Sequence, residues 1–167
     1  MLRRGGRDKE KAAGRQRAAG LKALARGDFG AAAEALRAYL AASPGDVRAR
    51  LNLGVAYYQQ GKHGEALEEF RQVVAEKPDL PEAWLNLAAA ANQLGLLDLA
   101  AEALEKAQAL SPDLPGLHYN LAVLRYKQGR IAEALAEAES ELALAPRHKL
   151  AQELVRELEG RLRVRGK

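Results

Sequence analysis

Three histidines, three serines and a scatter of carboxylates are the side chains in this sequence best suited to chemistry. His63, His118 and His148 lie on separate stretches with no partner at the i, i+4 spacing that places two imidazoles on one zinc ion. Cysteine is absent, which removes thiolate metal sites, iron–sulfur clusters, disulfides and cysteine nucleophiles together. Ser43 and Ser111 sit beside Pro44 and Pro112, where hydroxyls suit turns and caps, and neither they nor Ser140 lies in a nucleophile motif. Gly61-Lys62 lacks both the earlier glycine and the following Ser or Thr of a phosphate loop. Glu65, Glu68 and Glu69, and likewise Glu137, Glu139 and Glu141, read as solvated outer faces of helices. No catalytic residue, metal ligand or cofactor is expected, and the chain is not read as an enzyme.

The elements that carry these residues are helical. Hydrophobic residues make up 48% of the chain and aromatics only 5%, so the apolar material is Ala, Leu and Val. Such composition favours close helix packing. Threonine is absent and Ile131 is the single isoleucine, so a sheet would have little β-branched material. The basic start, Met1 to Arg7, has no apolar stretch behind it, and no segment approaches the ~20 apolar residues of a membrane helix. A soluble, cytoplasmic protein is expected, and the Ala- and Arg-rich composition suggests a GC-rich bacterial source. Residues 1–17 hold seven basic and two acidic side chains, and residues 156–167 hold five and two. These ends read as solvated tails rather than as nucleic-acid or lipid contacts.

Prolines recur at Pro44, Pro78, Pro112 and Pro146, glycines at Gly27, Gly61, Gly95 and Gly129, and alanines at Ala32, Ala66, Ala100 and Ala134, each set at a step of 34 residues. The step divides the chain into units 13–46, 47–80, 81–114 and 115–148. Within each, one amphipathic stretch ends at the glycine and a second ends at the proline, which describes a helical hairpin. A hairpin this small must stack on its neighbours to bury its apolar face. The eighth position of the units is Gly20, Gly54, Ala88 and Ala122, small enough for two helices to approach closely. Residues 149–163 break the pattern but place Ala151, Leu154, Val155, Leu158 and Leu162 on one face, as a capping helix would. Residues 1–12 read as a basic disordered segment and 164–167 as a basic tail. The fold expected is all-α: a right-handed solenoid of four hairpins plus a cap.

The chain resembles the tetratricopeptide repeat family over residues 13–148. Leu53-Gly54, Tyr57, Ala66, Phe70 and Pro78 of the second unit, with Trp84, Leu87, Ala100 and Pro112 of the third, supply every element of its signature. Arg50 and His118 stand where the signature has Trp. The resemblance implies that the first helices line a concave groove, with Asn52, Asn86 and Asn120 as a ladder of carboxamides able to hold a peptide backbone. Around the ladder it implies a lining of Leu51, Val55, Tyr58 and Gln59, then Leu85, Ala89, Asn92 and Gln93, then Tyr119, Val123, Tyr126 and Lys127. Tyr58 and Tyr126 are the aromatic anchor candidates, while Tyr57 and Trp84 fall at packing positions. The carboxylate clamp of some family members is not expected: Arg17, Leu21, Asn52, Glu82 and Asn86 occupy its places, and only Asn52 matches.

The function expected is therefore a protein–protein interaction module that binds a peptide or partner segment. The alternative is a scaffold that assembles through itself, its convex face or its basic ends. A small-molecule substrate, membrane insertion and nucleic acid are not expected.

Overall fold

The computed structural model describes the backbone of residues 2–165 and the side chains of residues 11–164. The described residues form helices joined by short turns, with no strand among them. They are α1 (Leu2–Ala25), α2 (Phe29–Ala42), α3 (Val47–Gln59), α4 (His63–Glu76), α5 (Pro81–Leu94), α6 (Leu97–Leu110), α7 (Leu117–Lys127), α8 (Ile131–Leu144) and α9 (Lys149–Arg165). The chain divides into two compact units, Met1–Lys77 and Pro78–Lys167. In the first, α1 pairs with α2, α3 pairs with α4, and α2 packs on α3. In the second, α5 pairs with α6 and α7 with α8; α7 also touches α5 and α6, and α9 packs on α8.

Gly27, Gly61, Gly95 and Gly129 turn each hairpin, and all four sit at φ between 74° and 76°. That left-handed conformation costs a glycine least, so the 34-residue recurrence is a backbone requirement. Asp28 and Asp46 cap α2 and α3, accepting from Ala31 N–H at 3.1 Å and Ala49 N–H at 2.9 Å.

Within a hairpin the two helices cross at the eighth position. A Cβ added at Gly54 would lie 2.5 Å from Cε1 of Phe70, and one at Gly20 would lie 2.7 Å from Cγ of Leu36. Phe70 and Leu36 are both fully buried, so neither can yield. The same two register positions hold Ala88 with Leu104 and Ala122 with Ala138, all buried. The largest partner, Phe70, stands opposite a glycine and the smallest, Ala138, opposite an alanine, while leucine stands opposite both Gly20 and Ala88.

The hydrogen bond made by the signature Trp is reproduced in the second repeat by an arginine. Trp84 Nε1 donates to Pro78 O at 2.8 Å, and Arg50 Nη2 donates to Pro44 O at 2.7 Å. Arg50 also reaches Glu69 and Gln72 on α4. His118 instead pairs through Nδ1 with Glu137 Oε2 at 2.8 Å.

Two segments differ from expectation. α1 begins at Leu2, so the backbone of residues 2–12, expected to be disordered, continues the helix; Arg, Lys, Glu and Ala all favour that state. α9 runs to Arg165 and takes in the start of the basic tail, while Met1, Gly166 and Lys167 lie outside the described residues.

Asp46 ties the first unit together. Besides capping α3, its Oδ2 accepts from Tyr39 Oη at 2.8 Å and from Arg17 Nε at 3.1 Å. Burial pushes its carboxyl up, but the Ala49 amide, the Tyr39 hydroxyl and the Arg17 guanidinium together outweigh that and hold it below the ordinary carboxylate value.

Two outcomes follow for stability. Gly54→Ala gains about 1 kcal/mol of helix propensity but drives a methyl group into the Phe70 ring, so urea unfolding followed by circular dichroism will show a net loss of about 1–3 kcal/mol. In a Phe70→Leu background, which reproduces the Ala88 and Leu104 pairing, the same substitution will cost less. Because the folded Asp46 carboxyl is depressed, its contribution is full above the unfolded carboxylate value near pH 4 and is lost as pH falls through the lower folded value. Asp46→Asn will flatten that acid-side decline in an unfolding series at stepped pH.

Candidate functional face

The face implied by the family resemblance is clearest in the second unit, on α5 and α7. Leu85, Asn86 and Ala89 on α5 and Tyr119, Asn120 and Val123 on α7 are all half-buried. Leu85 reaches over the start of α7, where a Cβ at Gly116 would lie 3.8 Å from its Cδ2. Tyr119 and Val123 rest with one side on the core formed by Ala122, Ile131, Ala134, Ala138, Leu154 and Leu158, leaving the other side outward.

The three asparagines are not equivalent. Asn120 Nδ2 donates to Gly116 O at 2.9 Å, one turn back in its own helix, so one of its two N–H donors is already used. Asn86 and Asn52, each half-buried, make no side-chain hydrogen bond among the described residues. Their amides keep both donor and acceptor capacity. On α3 in the first unit, Asn52 is flanked by half-buried Val55 and Tyr58 and by exposed Gln59. The Tyr58 ring lies 5.0 Å from that of His63.

Several residues expected in the groove are engaged elsewhere. Leu51 is buried in the core. Asn92 is 1% exposed and faces inward, its Nδ2 donating to Asn120 O at 3.2 Å. Lys127 Nζ donates to the Asn92 carbonyl, so these two residues fasten α7 to α5. Tyr126 turns to α9: its hydroxyl donates to Glu157 Oε1 at 2.5 Å, and Arg161 lies 4.9 Å from its ring centroid. The bond to Glu157 raises the Tyr126 hydroxyl above its ordinary value and lowers the Glu157 carboxyl below its own. Tyr126 is thus a bracket for the last helix rather than an open anchor. Exposed Gln93 completes the set on α5.

Glu141, read from the sequence as a solvated outer residue, is 2% exposed. Its Oε1 accepts from Gly116 N–H at 3.1 Å and its Oε2 from Tyr119 N–H at 3.3 Å. These are among the amides that a helix leaves unpaired in its first turn, and α7 has no side-chain cap of its own at Gly116. His148 Nδ1 donates to Glu141 Oε1 at 2.8 Å, and its ring lies 5.0 Å from that of Tyr119. A carboxylate on α8 therefore caps α7 and holds Tyr119 at the edge of the face. A signal existed in the sequence: the same register position carries Val73 and Ala107 in the middle repeats.

No group of three or more His, Asp or Glu among the described residues is placed to hold a metal ion. No described helix is long and apolar enough to cross a membrane.

Models of the tetratricopeptide repeat family match two stretches, described as tetratricopeptide repeat over residues 17–81 and as TPR repeat over residues 90–129. Together they span more than half of the sequence, and the chain belongs to the tetratricopeptide repeat family. No curated protein matches it. Among solved structures it is similar to a thermophilic TPR protein of Thermus thermophilus, with TM-score 0.79 and 23% identity over 90% of this chain and 83% of that one. It is similar also to MamA, with TM-score 0.73 and 25% identity over 90% and 84%. The first TPR of Spaghetti, bound to the HSP90 peptide SRMEEVD, aligns with TM-score 0.63 and 23% identity over 70% and 92%. The shared fold class is the all-α helical repeat solenoid.

Glu141→Leu will leave the Gly116 and Tyr119 amides without their acceptor and His148 without its partner. The expected cost is about 2–4 kcal/mol in urea unfolding, with faster hydrogen exchange at Tyr119 than in the parent chain. Substitution of exposed Ser140, whose hydroxyl only reaches back to Ala136 O, will change neither.

Proposed function

We propose that this protein is an interaction module that holds an extended or helical segment of another polypeptide against the α5–α7 face. The observation that carries the reading is the free carboxamide of Asn86 set among half-buried Leu85, Ala89, Tyr119 and Val123. Apolar side chains there supply contact area, and an amide with both hydrogen-bonding functions unused suits a peptide backbone. Asn52 offers the same group on α3 of the first unit, with Val55, Tyr58 and Gln59 beside it. Family membership supports a protein or peptide partner, and a protein of the same fold has been seen with a peptide bound. That peptide ends in an acidic sequence, whereas Glu82 here stands at a place where a carboxylate clamp needs a cation. The partner segment is therefore read as one without a strong negative charge. A cytoplasmic setting, binding in place of catalysis, and a segment rather than a whole folded surface belong to the same proposal.

A photo-crosslinking residue placed at Ala89 will capture a polypeptide from native extract, and capture will fall at least fivefold when Asn52, Asn86 and Asn120 are all replaced by Ala in a variant that keeps its helicity. A crosslink obtained equally from exposed Glu105 on α6, or unaffected by the triple replacement, would sink this reading in favour of a scaffold that works through its outer surface.

A further inference from the structure

The last helix keeps the register of a first helix. Gln152 Nε2 donates to Pro146 O at 2.8 Å, the bond that Trp84 makes to Pro78 and Arg50 makes to Pro44, each six residues upstream. Ala151 falls at the register position of Ala49, Ala83 and Leu117, and all four are buried. The expected break in the pattern at residue 149 is therefore a break in sequence signature but not in register. α9 takes the place of the first helix of a fifth hairpin, packed on α8, and among the described residues no second helix packs on it.

The side on which a second helix would lie is marked by the eighth position, which Leu36 covers at Gly20 and Phe70 covers at Gly54. On α9 that position is Arg156. Its side chain is exposed and makes no hydrogen bond or ion pair among the described residues. A cleft of about 430 Å³ opens at this place, lined by Ile131 of α8 and by Arg156, Glu157, Gly160, Arg161 and Val164 of α9. Arg156, Gly160 and Val164 follow one another at single-turn intervals, so they form one stripe. Val164 is 77% exposed, and a Cβ at Gly160 would meet nothing within 4 Å. Glu157 and Arg161 are paired with each other and with Tyr126, which leaves Arg156 as the unmatched charge of the cleft.

We propose that this cleft receives an amphipathic helix of a partner protein, which docks on α9 as the second helix of a fifth hairpin and sets a carboxylate opposite Arg156. The carboxylate would stand at the register position where Leu36 and Phe70 cover their glycines. Charge decides the occupant. This chain's own second helices carry Leu36, Phe70, Leu104 and Ala138 there, so the second helix of another copy would trap Arg156 beneath an apolar side chain, and an unpaired buried charge is strongly disfavoured. A volume in the range of small binding clefts, ~300–1,000 Å³, accommodates the side chains of one helix face while the helix backbone stays outside.

The test uses a fluorescent peptide of the α4 sequence, His63–Glu76, carrying Phe70→Glu and stapled on its outer face so that it is helical. Titration of the full chain will give saturable anisotropy that is at least fivefold tighter than with the unsubstituted α4 peptide. Arg156→Glu in the chain will weaken the acidic peptide by about tenfold and will favour a peptide carrying Phe70→Lys instead. Circular dichroism of the exposed Arg156→Glu variant confirms that the fold is intact. Equal binding of acidic and unsubstituted peptides, no response to Arg156→Glu, or no binding at millimolar peptide would each overturn the proposal. Sedimentation showing a dimer of the chain that Arg156→Glu dissociates would overturn it by assigning the cleft to a second copy.

Discussion

The close crossing inside each hairpin is the constraint on which the rest of the molecule depends. At Gly54 there is no room for one methyl group beneath Phe70, and at Gly20 none beneath Leu36. This approach lets a 14-residue second helix bury its apolar side on a first helix of similar length. It also keeps each hairpin thin enough for the next to stack, bringing α5 and α7 side by side with the Asn86 amide between apolar neighbours. The first-helix position stays at Gly or Ala in all four pairs, while its partner ranges from Phe70 through Leu36 and Leu104 to Ala138.

A second device operates where the crossing is repeated fewest times. In the first and last hairpins, one residue late in the second helix and one just before the next first helix form a polar pair, Tyr39 with Asp46 and Glu141 with His148, each at 2.8 Å. The middle hairpins carry Val73 with Leu80 and Ala107 with Leu114 at those places. In both places the acidic member also caps a first helix, Asp46 on α3 and Glu141 on α7, so each pair joins a hairpin to a helix N-terminus. Each pair extends to a third group, Arg17 in one case and Tyr119 in the other, so each ties a first helix to the turn that follows its hairpin.

Much of this was readable in advance, and for a definite reason. Glycines at φ near 75° and prolines just past helix ends act through the backbone alone, so their 34-residue spacing announced an all-α helical repeat. That Leu85, Asn86, Ala89 and Val123 share a face was implied by the family resemblance rather than by the spacing. What the period could not convey was the use made of side chains long enough to choose between neighbours. Tyr126 occupies an anchor position but is drawn to Glu157, a residue that exists only because α9 follows. Asn92 was placed on the groove with Gln93, yet it points inward, its Nδ2 donating to Asn120 O. Glu141 looked like its neighbours Glu137, half-buried beside His118, and Glu139, exposed, yet it caps α7. For Asn92 and Glu141 the informative signal was a departure from the repeat, a polar residue where other units carry Leu, Tyr, Val or Ala; Tyr126 gave none, since Tyr58 holds the same position.

Trp84 is the only tryptophan, and its indole N–H is bound to Pro78 O at the first turn of the second compact unit. The first unit has no indole, only tyrosines such as Tyr39, Tyr57 and Tyr58 and the phenylalanines Phe29 and Phe70, which do not absorb at the red edge where indole is excited. The molecule thus carries a built-in optical label on one half alone. Indole emission reports melting of Pro78–Lys167, while backbone ellipticity reports both halves, and the difference between the two traces separates their cooperativity without any dye or engineered probe.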